Sequence, residues 1–149
     1  MNKIKIIGFS FFVAGLILAS SAQAAHHANQ FKNGSVQLHS SGSLAFSPDG
    51  VLFVADQKSA RILAIQTGDT RMSSSRATYK IKDIDAKVAA FLGTSPDQIL
   101  ISDVVVNPAS RNVYMSVSRG KGSDAQAVIL TVSSSGDIGL FDRSDVNYM

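Results

Sequence analysis

The sequence predicts an all-β fold: two four-stranded antiparallel units with a short helical insertion between them. Three observations predict it. Apolar strands and Pro- or Gly-bearing turns occur twice in the same order. All 11 acidic residues are Asp, with no Glu; Asp favours turns and caps, whereas Glu favours helix interiors. After residue 35, helical spacing of apolar residues occurs in one segment, between the two strand groups.

In the first group, Ser43-Leu44-Ala45-Phe46 reads as a short strand. Ser47-Pro48-Asp49-Gly50 has Pro at i+1 and Gly at i+3, the arrangement of a type I turn. Val51-Leu52-Phe53-Val54-Ala55 is a buried strand, and Asp56-Gln57-Lys58-Ser59 a polar turn. Arg61-Ile62-Leu63-Ala64-Ile65 is a third strand, closed by Thr67-Gly68-Asp69. After a polar loop, Thr78-Tyr79-Lys80-Ile81-Lys82 alternates like an edge strand.

Ile84, Val88, Phe91 and Leu92 then recur at the spacing of one helix face. Asp83 or Asp85 can cap its start, and Gly93 suits its C′ position. The strand pattern restarts with residues 99–106, rich in β-branched side chains. Asn107-Pro108-Ala109-Ser110 is a turn, and residues 112–117 are a strand. Residues 118–126 are a Gly- and Ser-rich loop, 127–132 a strand, 133–137 a turn and 138–141 the last strand.

The two groups align. LAFSPDG-VLFVA (44–55) matches VVVNPASRNVYMS (104–116), and ARILAIQ-TGD (60–69) matches AVILTVSSSGD (127–137). Strand, Pro turn, strand, polar loop, strand, Gly-Asp turn, strand is the order of a β-propeller blade. The spacing of 60 to 67 residues exceeds the roughly 40–50 of ordinary blades. The excess lies in segment 83–98 and loop 118–126. The expected architecture is an incomplete β-propeller: residues 36–82 form blade 1, 83–98 the helical insertion and 99–149 blade 2. Propellers close with about 4–8 blades, and uncovered blade faces invite self-association. The closing residues FDRSDVNYM show no capping pattern. The chain is therefore expected to be the N-terminal part of a larger ring, shortened by a premature stop or a misplaced gene boundary. Assembly of several copies into one ring is the alternative.

GSLAFSPDGVLFVADQKSARILAI resembles a blade of the NHL-type and gluconolactonase-like propellers, whose blades often read G-L-A-F-S-P-D-G-x-L-Y-V-A-D. ISDVVVNPASRNVYMSVS is similar to the related D-x-A-V-x-P-x-x-x-x-V-Y form. The resemblance covers residues 42–66 and 101–137. It implies an architecture, while activity belongs to sites grafted onto the fold. In the lactonase-like members, an Asp at the start of the innermost strand can face the channel and hold a divalent cation such as calcium. Asp103 occupies that place here. The matching place in the first blade is Gly42, where the family often carries Asn. A hard cation wants about six or more oxygen ligands, so the other blades would have to supply most of them.

Ahead of the blades lies an export signal. Lys3 and Lys5 precede an uncharged apolar run, residues 6–19. Small Ala22 and Ala24 then form an A-x-A cleavage site. The run is shorter than the roughly 20 residues of a bilayer-spanning helix. Residues 1–24 are thus expected to be a cleaved signal peptide, with export to the periplasm or the cell exterior and no stable membrane anchor. Residues 25–35 read as a mobile mature N-terminus.

The full chain carries +3, from 14 basic and 11 acidic residues; removing Lys3 and Lys5 leaves +1. The calculated pI is therefore largely a property of the signal, and no basic block points to nucleic acid. With no Cys, disulfides and a lipidated cysteine are excluded, and stability rests on packing.

The remaining candidate residues are few. Asp56 closes the V-A-D motif, as a turn organiser or as a rim binding residue. Arg119 and Lys121 stand among glycines in a loop whose N–H groups can cradle an anion, without P-loop spacing. Cleavage after Ala24 would leave Ala25-His26-His27, a free amine with His at position three. Such an end can bind Cu(II) or Ni(II) through a square-planar nitrogen set. No G-x-S-x-G elbow is present, and no catalytic residue is assigned. The leading expectation is a binding or scaffold module for a protein or small-molecule ligand. The alternatives are a metal-dependent lactonase-type enzyme lacking its other blades and a non-functional remnant of a longer gene.

Overall fold

The computed structural model describes residues 30–74 and 78–149. It is mostly β, with nine strands and one α-helix among the described residues. The strands are β1 (Lys32–Gly34), β2 (Leu44–Phe46), β3 (Val51–Asp56), β4 (Arg61–Gln66), β5 (Ile99–Val106), β6 (Val113–Arg119), β7 (Gln126–Val132), β8 (Ile138–Leu140) and β9 (Val146–Tyr148). The helix α1 is Ile84–Phe91.

The strands form two antiparallel sheets, neither closed on itself. The second has the simple order β5-β6-β7-β8, and the first has the order β1-β9-β4-β3-β2. Two expectations change here. Residues 78–82 form no strand; the place beside β4 belongs to β9, with Ile65 opposite Tyr148 and Gln66 opposite Asn147. Lys32–Gly34, expected in a mobile tail, pair with β9 as the outermost strand. An alternating sequence signals a strand but not its partner, and both pairings join segments far apart in the sequence.

The turns form as their residues dictate. Gly50 N–H donates to Ser47 O (3.1 Å), the i to i+3 bond of the Pro48 turn. In the second unit, Asn107 Oδ1 accepts from Ala109 N (2.9 Å) and Ser110 N (3.4 Å). Helix α1 ends in a Schellman arrangement: Thr94 N–H reaches Ala89 O, Gly93 N–H reaches Ala90 O, and Gly93 takes a φ of +65°. At the start, Asp83 stands at the N-cap position, but its side chain makes no capping bond.

The chain stacks in three layers: first sheet, second sheet, helix. Alternation along β6 and β7 turns Tyr114 and Ile129 towards the first sheet. There they pack with Leu44, Leu52, Val54, Leu63 and Ile65. Met115, Val117, Leu130 and Val132 point the other way, onto Val88 of α1. Phe91, assigned by spacing to the helix's packed face, is 45% exposed. Phe46, Tyr114 and Phe141 form an edge-to-face chain in the inter-sheet core, with centroids 5.0 and 5.7 Å apart. The far face of the first sheet shows Phe53, Ile62 and Met149 to solvent.

Candidate functional site

Asp103 sits at an irregularity. The β5–β6 register slips between Ile101 and Asp103, and such a bulge re-aims the side chain beside it. One carboxylate oxygen accepts Leu44 N–H (2.7 Å) from β2, and the other accepts Val104 N–H (2.8 Å). Asp103 thus ties β5 to β2, an edge strand of each sheet. Among the described residues, no three His, Asp or Glu side chains gather as metal ligands. At Gly42 a Cβ would lie 2.1 Å from Ala55 O, so a ligating side chain has no room there.

Asp56 is fully buried. Its carboxylate accepts His39 N–H (3.2 Å), Ser40 Oγ–H (3.0 Å) and the Arg61 guanidinium (3.2 and 3.3 Å). Burial on its own would raise its pKa. Hydrogen bonds from the His39 backbone and from Ser59, Ser40 and Arg61 outweigh burial and hold the carboxyl well below the usual carboxylate range. Ser40 Oγ also accepts Lys58 N–H (3.0 Å), so Asp56 clasps the incoming segment 37–40 against the β3–β4 turn.

Asp69 is a second hub, at the opposite end of β4. Its Oδ2 accepts from Ser110 Oγ (2.6 Å), Asn112 Nδ2 (3.0 Å), Tyr114 OH (3.2 Å) and Asn107 Nδ2 (3.3 Å). Burial first, then the Asp69 charge, pushes the Tyr114 phenol well above its ordinary value. The matching Gly-Asp turn of the second unit behaves differently. Asp137 accepts hydroxyls from its own turn, Ser135 (2.5 Å) and Ser133 (3.5 Å). The Gly-Asp repeat was legible in the sequence, but the cross-sheet partners of Asp69 were not.

Arg119 ends β6, with Nη1 on Gln126 Oε1 (3.2 Å). Lys121 makes an exposed ion pair with Asp97 at 4.0 Å. Both strands run further into loop 118–126 than expected, leaving a link at 120–125 with a 3-10 turn, Gly122–Asp124. His26 and His27 lie outside the described residues.

The Asp56 end of the sheets forms a rim with two adjoining clefts. One, about 410 Å³, is lined by Leu38, His39, Lys58 and residues 123–127. It is bridged by Lys58 Nζ donating to Ser123 O (3.2 Å). The other, about 400 Å³, lies between residues 35–39 and 140–144. Leu38 and His39 line both. Arg143 lines the second, its Nη1 on Val36 O (3.0 Å) and its Nη2 on Ala127 O (3.5 Å). Sequence reasoning missed Arg143 and His39, because neither lies in a repeat or a motif. Comparison with protein-family models, curated proteins and solved structures finds no match. Among the described residues, no helix is long and apolar enough to cross a membrane.

Proposed function

We propose that the chain is an exported binding module, built from two units of the NHL and gluconolactonase-like propeller type, that takes its ligand at the rim. The observation carrying this reading is the rim's construction. Four separate stretches of chain converge there around two clefts, and a buried carboxylate, Asp56, fixes one wall. Cleft volumes near 400 Å³ fall within the roughly 300–1,000 Å³ of small-molecule sites. Supporting the repeat, the Pro turns, their flanking strands and the Gly-Asp turns fall at matching places in the two sheets. Two carboxylates also link one unit to the next, Asp103 to β2 and Asp69 to the 107–112 turn.

Two measurements test the reading. N-terminal sequencing of material from periplasm and medium should find a chain beginning at Ala25; recovery only of intact, cell-associated chain beginning at Met1 would sink export. For binding, an amide chemical-shift screen of small metabolites should place saturable shifts at residues 35–41, 56–61, 120–127 and 140–144. Saturable shifts confined to the Asp69 end would move the site, and none anywhere would remove a small-molecule role.

A further inference from the structure

The Arg143 guanidinium in the second cleft makes no ion pair. Arg143 is half-buried, and no described carboxylate lies within ion-pair distance of it. Arg61, by contrast, has Asp56 at 3.2 Å. Arg143 bonds only neutral main-chain carbonyls, from Val36 and Ala127, and its Nε–H is buried with no partner. Its sequence neighbour Asp142 is exposed and lines the same cleft, but makes no ion pair with it and is held in a local turn. The Asp142 carboxylate accepts Ser144 N–H (2.9 Å) and Ser144 Oγ–H (3.0 Å). A guanidinium has more donors than two carbonyls use, and a partly desolvated cation without a counterion is unfavourable. Burial accordingly lowers the Arg143 pKa from its ordinary value, against the opposing pull of Asp142.

The cleft wall is also lined by His39, Ser35 and Ser144, and by Asp142, whose carboxylate already accepts from Ser144. The guanidinium is anchored from two sides, by the segment before β2 and by the start of β7. It therefore needs little ordering on binding, which favours affinity. Planar N–H groups match the oxygen pairs of carboxylate and phosphate.

We infer that this cleft is a site for a small oxyanion, a ligand bearing one carboxylate or phosphate group, gripped by the Arg143 guanidinium. The inference rests on the reading of the rim as the binding surface and names its ligand class. The test is an amide-shift titration of the full chain with sodium phosphate and, separately, sodium acetate, using sodium chloride at matched ionic strength as the blank. The expected result is saturable shifts at Val36, His39 and Ser144 that chloride does not produce, and at least tenfold weaker binding in Arg143→Gln. Saturation by phosphate alone identifies phosphate esters as the source, by acetate alone carboxylic acids; either supports the site. Arg143→Lys keeps the charge without the fork and should also lose about tenfold, which covers the case of a Gln variant that does not fold. Shifts equal to those in chloride, or unchanged affinity in either variant, would overturn the inference. Rim shifts from an uncharged metabolite alongside such a failure would leave the wider binding reading standing.

Discussion

Gly42 offers a quantitative test of how tightly the first sheet is built. A Cβ at this position would lie 2.1 Å from Ala55 O and 3.0 Å from its carbonyl carbon, against an ordinary contact of 3.4 Å or more. The obstacle is backbone, so no side-chain rotation relieves it. Gly42→Ala must push the segment leading into β2 away from β3 by more than an ångström. Two bonds at the start of β2 stand in the way of that shift: Ala55 N–H to Ser43 O (2.9 Å) and Leu44 N–H to Asp103 Oδ2 (2.7 Å). Losing a neutral bond costs about 0.5–1.5 kcal/mol and a charge-assisted one about 1.5–3. Overpacking strain adds roughly 1–3 kcal/mol. The expected loss is about 3–7.5 kcal/mol, a large part of the ~5–15 kcal/mol of a typical domain. At roughly 4 °C per kcal/mol for a chain of this size, Tm should fall by about 12–30 °C in a circular-dichroism melt. Gly50→Ala is the control. Gly50 has a φ of +85° but open space around its Cβ position, so only the left-handed penalty of about 1–2 kcal/mol applies. A Gly42→Ala melt within about 3 °C of wild type, or one no worse than Gly50→Ala, would refute the packing argument.

Three further outcomes follow from the buried polar groups and the strand order. Asp69→Ala strands the donors of Asn107, Ser110, Asn112 and Tyr114 and should cost about 2–4 kcal/mol in urea unfolding. Adding Tyr114→Phe removes one stranded hydroxyl, so the double variant should lose less than the sum of the two singles. Asp56, with its folded pKa depressed below the ordinary 3.8 of a free Asp, stabilises fully above that value, and the contribution is lost as pH falls towards the lower folded value. Tm of the wild type should therefore drop between about pH 4 and about pH 2, whereas Asp56→Asn should start lower and change less across that window. Deleting residues 146–149 removes β9 and bares the edge of β4. The shortened chain should bind a hydrophobic dye and elute as aggregates on size exclusion, and an unchanged monomer peak would contradict the assigned strand order.

Local chemistry was legible in the sequence; distant pairing was not. The Pro48 turn, the β3–β4 hairpin, α1 with its Gly93 terminus and the meander β5-β6-β7-β8 are all written in residues a few positions apart. The exchange of residues 78–82 for β9 was invisible, because alternation in Thr78-Tyr79-Lys80-Ile81-Lys82 and in Val146-Asn147-Tyr148 is equally weak. The choice between them depends on a core assembled from both sheets. Phe91 matched a helix face by spacing, yet Ala89 took the buried position, since a single layer of contact leaves room for only part of a wide apolar stripe. For the candidate site, Asp56 was identifiable as a motif residue, but the convergence of segment 37–40 and Arg61 on it was not. Arg143 carries no local signal. Its neighbours become Val36 and Ala127 only once the chain has doubled back.

That doubling back sets the order in which the molecule can be finished. β4 ends at Gln66, and its neighbour in the sheet begins at Val146. A ribosome making about 5–20 residues per second needs roughly 4–16 s to cover that interval. Throughout it, one flank of β4 is an unsatisfied row of amides and carbonyls. The nascent chain is therefore longest exposed at its earliest-made sheet, and residues 146–148 act as the stitch that ends this exposure. Distant pairings of this kind also slow folding after release. A chaperone that holds the chain open in that interval meets an unpaired β4 edge.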